Sequence, residues 1–144
     1  MSEFPTTLDG LNRLGAGMLP GVLGIEFTSA TPGLVEARLT LDQRHLAPNG
    51  YLHAATLVAI ADTACGYGCL ASLPDGGDGF TTIELKTNFL GTLTEGSIAC
   101  RASLVHGGRT TQIWDAIVTD EATDRTLALF RCTQLVLRRD AAPA

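Results

Sequence analysis

The sequence contains few basic residues, and they form no dense cluster. Ten Lys and Arg residues stand against 15 Asp and Glu residues, which gives the 144-residue chain a net charge of -5 at pH 7. Proteins that bind nucleic acid neutralise phosphates with grouped Lys and Arg. We therefore expect no nucleic-acid partner, although a local anion site stays open.

Long apolar segments and targeting signals are also missing. No apolar run reaches the roughly 18 residues of a bilayer span without a charge. Residues Met1 to Pro5 lack the basic region followed by an apolar region that marks a secretion signal. We expect no membrane partner and a cytoplasmic location.

Cysteine is scarce and is not arranged for metal binding. The four residues are Cys65, Cys69, Cys100 and Cys132, and no histidines accompany them at zinc spacing. We expect reduced core residues, no metal site and no separate cofactor.

The remaining composition is that of a folded chain, with 45% apolar and 17% charged residues. The length suits one domain spanning residues 1–144, and the sequence contains no repeat or linker. Periodicity predicts a short helix, two strands, one long helix and four strands, at Thr6–Gly17, Leu23–Ala30, Leu34–Leu41, His53–Ala71, Phe80–Leu90, Ser97–Val105, Arg109–Thr119 and Thr126–Leu137. Short turns between consecutive strands favour an α+β fold, with a curved antiparallel sheet wrapped round the long central helix.

Asp62 is the unusual residue of that central helix. The helix is apolar nearly all round, which predicts that it is buried, and Asp62 is its one carboxylate. Burying an unpaired carboxylate costs on the order of several kcal/mol, unless the group keeps its proton and stays neutral. Asp62 therefore indicates a functional site, unless it lies on a wet edge or pairs with an arginine.

Three stretches resemble one known family. They are Pro48-Asn-Gly-Tyr-Leu-His53 followed by Asp62-Thr63-Ala64, the strand Thr81–Leu90, and the turn His106–Thr111. Together they are similar to hotdog-fold acyl-CoA thioesterases of the phenylacetic-acid-degradation and 4-hydroxybenzoyl-CoA thioesterase type, over a core of about residues 19–138. The chain departs from the family pattern at four positions. Ala54-Ala55 replaces Gly-Gly after the histidine, Ala47 replaces an Asn or Gln, and Gly66 replaces a Ser or Thr.

The resemblance implies hydrolysis of an acyl-CoA thioester, with CoA as part of the substrate. Asp62 would be the nucleophile or general base, and the backbone N–H of Ala54, helped by that of Ala55, would polarise the carbonyl. His53 would lie near the thioester or shape the loop. Candidate substrate contacts are Asn49, Gly50, Asn88, Phe89, Leu90, Arg109 and Thr110, and residues setting pocket depth include Tyr51, Leu57, Tyr67 and Phe80. Arg138 and Arg139 are expected to be a solvated pair, with contact to a phosphate as the alternative.

Spacing along the helix adds a prediction about assembly. Ala54 and Asp62 are eight residues apart, which is about 12 Å along a helix. A thioester carbonyl that accepts from the Ala54 N–H at ~3 Å and is attacked from Asp62 at ~3 Å cannot span that distance. If both groups serve one thioester, they must come from two helices. We expect a homodimer with two shared sites, and the family resemblance adds a dimer of dimers.

Two other functions remain open at this stage. The replaced glycines and the missing Asn or Gln are compatible with a non-catalytic acyl-CoA binder. A hotdog dehydratase or hydratase would need a histidine facing an acid, for which His53 and Asp62 are candidates.

Overall fold

A computed structural model describes residues 4–5 and 7–139. Its helices and strands are α1 (Leu8–Leu14), α2 (Leu19–Leu23), β1 (Glu26–Thr31), β2 (Leu34–Thr40), α3 (Ala54–Ala71), β3 (Gly79–Phe89), β4 (Ser97–Gly107), β5 (Thr111–Asp120) and β6 (Thr126–Leu137), with a 3₁₀ turn at Gln43–His45.

The N-terminal part differs from the prediction. The predicted helix ends at Leu14. The segment Met18 to Gly21, predicted to be a turn or a single helical turn, belongs to a second short helix, α2, which also takes in Leu23 of the predicted first strand. Pro20 suits the first turn of α2, and Gly24 ends it with φ of +81°. Thr7 caps α1 by accepting from the Gly10 N–H at 3.1 Å, and Thr6, where the predicted helix begins, lies outside the described residues.

The six strands form one antiparallel sheet in the order β1-β2-β4-β5-β6-β3. The long helix α3 contacts all six strands. This arrangement confirms the predicted hotdog fold. The core lies between α3 and the inner face of the sheet, and its fully buried members include Val35, Ile60, Ala64, Ile98, Trp114 and Val118.

Small residues let α3 lie close to the sheet. A Cβ atom at Gly68 would come within 2.5 Å of the Trp114 ring, and one at Gly66 within 2.6 Å of the Phe80 ring. Both distances are far below van der Waals contact, so these aromatic rings occupy the space that side chains would need. The glycines therefore fix the depth of the helix in the curved sheet.

Buried polar side chains hold the two ends of α3. At the C-terminal end, the Gln112 amide donates to the Ser72 carbonyl at 2.8 Å and accepts from the Trp114 indole at 2.8 Å. At the N-terminal end, the carbonyl of the fully buried His45 accepts from the Thr56 hydroxyl of α3 at 2.9 Å and from the N–H of the N-cap His53 at 3.0 Å. The His45 ring is itself held, since it accepts from the Asp42 N–H at 2.8 Å and contacts the Leu23 carbonyl at 2.6 Å. These contacts leave α3 little freedom to shift along the sheet.

The prediction that α3 is buried nearly all round is wrong for a single chain. Ala59, Asp62 and Thr63 form a partly exposed stripe, and Ala54 and Ala55 at the helix start are exposed. The sheet curves round only part of the helix, so its other side needs a different cover. Among the described helices only α3 has the length and apolar character of a membrane span, which core helices of soluble proteins share, and half of it is buried.

Strand β3 forms one edge of the sheet and is also incompletely covered. Its ladder partner is β6 on one side. Ile83, Leu85 and Phe89 are 55%, 42% and 47% exposed. A long edge strand with exposed apolar side chains is a ready surface for pairing with another chain.

Candidate active site

Asp62 lies half-buried on the open side of α3. Its Oδ1 accepts a hydrogen bond from the Thr82 hydroxyl at 3.0 Å. Burial raises the pKa of the Asp62 carboxyl, and the Thr82 hydrogen bond opposes that rise. No Arg or Lys of the described chain pairs with Asp62, so the arginine-paired alternative does not hold within residues 4–139.

The start of α3 leaves one backbone donor available. His53 is the N-cap, and its Nδ1 accepts from the Ala55 N–H at 2.9 Å. The Thr56 N–H donates to the His53 carbonyl at 2.9 Å. The Ala54 N–H has no acceptor in the described part of the chain. The first turn thus presents the Ala54 N–H at the positive end of an 18-residue helix.

The cap also assigns a structural role to His53. Because Nδ1 accepts a hydrogen bond, its lone pair faces the helix and the Nε2 edge of the exposed ring faces outward. Of the two roles expected for His53, this contact supports the one in which its side chain shapes the local backbone. The Ala55 N–H, predicted to help Ala54, is engaged by the same contact.

A cavity of about 270 Å³ adjoins the helix start. It lies between α2, the loop before α3 and the first two turns of α3. Its lining is mostly apolar, with one arginine at the rim, and comprises Leu19, Leu23, Arg44, Leu46, His53, Ala55, Thr56 and Ala59. A cavity with these properties suits an apolar group attached to a polar one.

Asn49 and Gly50 form the turn that leads into this region. The Asn49 side chain accepts from the Tyr51 N–H at 3.1 Å, as in an Asx turn. Gly50 has φ of +84°, a conformation that favours glycine. Both residues therefore have a local structural reason to be present, and their contact with substrate stays a prediction.

Asn88, Phe89 and Leu90 lie together at the end of β3. All three are exposed, with Phe89 at 47% and Leu90 at 59%. Phe89 therefore lies at the surface of the single chain. The exposed apolar surface remains available to a ligand or to a second chain.

Arg109 and Thr110 lie in the turn between β4 and β5. The turn is fixed from β6, since the Val136 N–H donates to the Thr110 carbonyl at 2.8 Å and Arg138 donates to the Arg109 carbonyl at 2.7 Å. Arg138 also donates to the Asp75 carbonyl at 2.8 Å. The Arg109 side chain is exposed and can meet a phosphate.

Arg138 and Arg139 are both exposed, as expected of a solvated pair, and each also contacts a neighbouring loop. Arg138 joins two loops through their carbonyl oxygens. Arg139 forms an ion pair with Asp78 at 3.0 Å. Both guanidinium groups face loop acceptors close to the end of β6, and this arrangement ties the β6 end to neighbouring loops.

The residues expected to set pocket depth divide between core and surface. Leu57 is 2% exposed and belongs to the core. Tyr67 stacks on Phe27 with ring centroids 4.5 Å apart, and Phe80 covers Gly66. Tyr51 is 52% exposed beside the loop that leads to α3. Within one chain, only Tyr51 has much of its surface open to a ligand.

Sequence reasoning missed Thr82 and Gln134, which lie next to Asp62. Thr82 contacts both Asp62 Oδ1 at 3.0 Å and Gln134 Oε1 at 2.9 Å. Gln134 is fully buried in β6. The available signal was a glutamine at an inward position of a strand, where a buried polar group needs a partner.

Comparison with known proteins identifies close relatives. The sequence pattern of the thioesterase superfamily matches residues 49–126. The 1,4-dihydroxy-2-naphthoyl-CoA hydrolase of Listeria monocytogenes is 31% identical over 84% of this chain and 97% of that relative. The proofreading thioesterase EntH of Cronobacter turicensis is 31% identical over 80% of this chain and 83% of its own. A thioesterase crystal structure from Haemophilus influenzae has a TM-score of 0.85 at 28% identity, covering 94% of each chain.

Proposed function

The chain belongs to the thioesterase superfamily and is a thioesterase, and from this premise we propose that it hydrolyses an acyl-CoA to the free acid and CoA. The observation that carries the proposal is Asp62, a half-buried carboxylate with no cationic partner among the described residues. One of its oxygens is held by Thr82, and the other makes no hydrogen bond within the described chain. The hydrolysis of a CoA ester by the Listeria relative supports CoA as the thiol.

Two chemical routes use this carboxylate. In one, Asp62 removes a proton from water while the water oxygen attacks the thioester carbon. In the other, Asp62 attacks the carbon directly, and water then hydrolyses the resulting anhydride. In both routes the carbonyl oxygen gains negative charge, which the Ala54 N–H stabilises. The C–S bond then breaks, and the CoA thiolate leaves and takes up a proton.

We propose that the Ala54 donor comes from a second subunit. In one chain Asp62 and Ala54 lie about 12 Å apart along α3. The open stripe of α3 and the exposed edge of β3 lie on the same side of the molecule, since Asp62 contacts Thr82. Antiparallel pairing of two β3 edges would bring two open stripes together and cover the exposed Ile83, Leu85 and Phe89.

The helix and strand geometry locates the two-fold axis of this homodimer. Gly66 lies beside Phe80 and Asp62 beside Thr82, so α3 and β3 run in opposite directions. Within one chain, Ala54 lies about 12 Å from Asp62 along α3, in the direction in which β3 continues beyond Thr82. This distance corresponds to about four residues of β3 at ~3.3 Å each, and the bulge between Thr82 and Glu84 adds one more residue to the count. The partner's Ala54 meets Asp62 if the axis passes near residues 84 and 85.

The charges of Glu84 and Lys86 distinguish between neighbouring registers of the β3–β3 pairing. An axis at Leu85 places Glu84 opposite the partner's Lys86, and Lys86 opposite the partner's Glu84. An axis at Glu84 or at Lys86 would instead place like charges opposite each other, which is unfavourable. In the described chain neither Glu84 nor Lys86 forms an ion pair. We therefore favour pairing centred on Leu85.

The CoA phosphates are assigned to the turn that carries Arg109 and Thr110. The Arg109 guanidinium group, the Thr110 hydroxyl and the backbone N–H groups of the turn provide anion-binding chemistry. The apolar cavity at the start of α3 is suited to the acyl group. Asn49, Gly50, Asn88, Phe89 and Leu90 remain proposed contacts along the path between these regions.

Two substitutions test the chemistry without removing the fold. Asp62→Asn should abolish thiol release from a panel of aromatic, short-chain and long-chain CoA esters. Ala54→Pro deletes one N–H at the first helical position, where proline is well tolerated, and the preceding His53 already has the extended ψ of 135° that proline requires. We expect kcat to fall by about 10²- to 10³-fold, while Ala54→Gly, which keeps the N–H, retains turnover. Full turnover in Asp62→Asn would contradict the proposal.

The same assays separate the alternatives. A non-catalytic binder would be stabilised against heat by CoA esters and release no thiol. A dehydratase or hydratase would change the double bond of an enoyl-CoA and leave the thioester intact. Either result would replace the proposed hydrolysis.

A further inference from the structure

The helix that carries Asp62 offers no side-chain donor to its carboxylate. One turn later along α3 stands Gly66, and the Phe80 ring fills the space that a side chain there would need. The neighbouring Thr63 hydroxyl donates to the Ala59 carbonyl at 2.6 Å. Any group that orients Asp62 within this chain must therefore come from the sheet.

Thr82 of β3 supplies that group, and Gln134 of β6 lies directly behind it. The two residues are ladder partners in the sheet. The Thr82 oxygen lies 3.0 Å from Asp62 Oδ1 and 2.9 Å from the Gln134 side-chain amide. The same amide contacts Cys132 Sγ at 3.3 Å. A continuous polar chain thus runs from the buried Cys132 to the half-buried Asp62.

The number of hydrogens available determines the direction of each hydrogen bond between Asp62 and Cys132. The Thr82 hydroxyl has one hydrogen and can donate to one neighbour at a time. In the structure Gln134 Oε1 faces Thr82 and Nε2 faces Cys132, so Oε1 competes with Asp62 for that hydrogen. When Asp62 is ionised, Thr82 donates to it, and we infer that the Gln134 amide turns over, so that its NH₂ group donates to Thr82 and its carbonyl accepts from the Cys132 thiol. Asp62, Thr82, Gln134 and Cys132 then each take part in a hydrogen bond, as burial requires.

We propose that Thr82 and Gln134 are positioning residues, which hold one oxygen of the Asp62 carboxylate so that the other faces the thioester. This inference rests on the proposed function. Gln134 acts through Thr82, because its NH₂ group directs the single Thr82 hydrogen towards Asp62. The bulge between Thr82 and Glu84 turns Thr82 and Leu85 to the helix side of the sheet. Among the described residues, the Cys65 thiol on α3 interacts electrostatically with Asp62, and the Cys132 thiol on β6 faces Cys65.

Thr82→Val removes the hydroxyl and keeps the shape of the side chain. We expect kcat to fall by about 10- to 100-fold, the effect of losing one hydrogen bond to a charged group, with little change in KM. The hydroxyl favours the ionised form of Asp62, so its loss should move the acidic limb of the kcat/KM profile to higher pH. Thr82→Ser should restore both properties, and Gln134→Leu should shift the limb in the same direction as Thr82→Val.

Thr81→Val is the matched control, because it makes the same change one residue away on an exposed position of β3. It should leave kcat and the pH profile at wild-type values. A Thr82→Val enzyme with wild-type kcat and an unshifted acidic limb would overturn the positioning role while the proposed hydrolysis stands.

Direct titration keeps the inference testable if no thioester is hydrolysed. The ¹³C signal of the Asp62 carboxyl, followed by NMR in the full chain, reports its ionisation without turnover. The inference requires that signal to titrate at higher pH in Thr82→Val than in wild type and in Thr81→Val. Equal midpoints in the three proteins would refute it, and a folded Thr82→Val is verified by its thermal unfolding curve.

Discussion

Reversing the charge of Glu84 tests the β3 pairing that brings Asp62 to a second subunit. In a dimer centred on Leu85, each Glu84 faces the partner's Lys86, so Glu84→Lys replaces two attractive cross-strand pairs by two repulsive ones. Each such pair contributes about 0.2–1 kcal/mol. The substitution should therefore weaken the dimer by about 1 to 4 kcal/mol, or roughly 5- to 1000-fold in dissociation constant.

The compensating change makes this test specific. Lys86→Glu alone should weaken the dimer by a similar amount, whereas the double variant Glu84→Lys/Lys86→Glu regenerates both attractive pairs and should recover the wild-type dissociation constant. Sedimentation equilibrium at low salt measures all four proteins, since salt screens exposed pairs. A double variant weaker than either single variant would refute the Leu85-centred register.

Other substitutions test separate parts of the site. His53→Ala removes the acceptor of the Ala55 N–H and should lower the free energy of unfolding by about 0.5–2 kcal/mol, measured by urea denaturation. Gly66→Ser forces a side chain against Phe80 and should cost about 1–3 kcal/mol by the same measurement. Asp62→Asn should stabilise the protein at neutral pH. Burial raises the Asp62 pKa above its unfolded value, so the wild-type carboxyl favours folding below the unfolded pKa and loses that contribution as pH rises through the folded pKa. The stability gain of Asp62→Asn should therefore disappear below the unfolded pKa, and its persistence there would contradict the assigned cause.

The strands were predictable because their inner and outer faces differ in polarity. Period-two alternation gave β6 its observed bounds, Thr126 to Leu137, and placed the other strands within a few residues. The sequence indicated only a turn or a single helical turn at the five-residue helix α2, because a segment opening with Leu-Pro-Gly carries little helical periodicity. Its boundaries depend on packing against neighbouring elements.

The surroundings of Asp62 were harder to predict than Asp62 itself. A lone carboxylate in an apolar helix is visible in the sequence, but the helix has almost no polar face to show which stripe the sheet leaves open. The contact with Thr82 joins residues 20 positions apart, and Gln134 is more distant still. Such contacts follow from strand order and register, which turn and periodicity patterns do not specify.

Complementation between two inactive chains tests the shared site most directly. A dimer of one Asp62→Asn chain and one Ala54→Pro chain contains one site with both native groups, provided that each site takes Asp62 from one subunit and Ala54 from the other. Random mixing makes half of the dimers heterodimers, so thiol release from CoA esters should return to about a quarter of the wild-type rate per chain. Mixed dimers that stay as inactive as either parent would contradict the shared site.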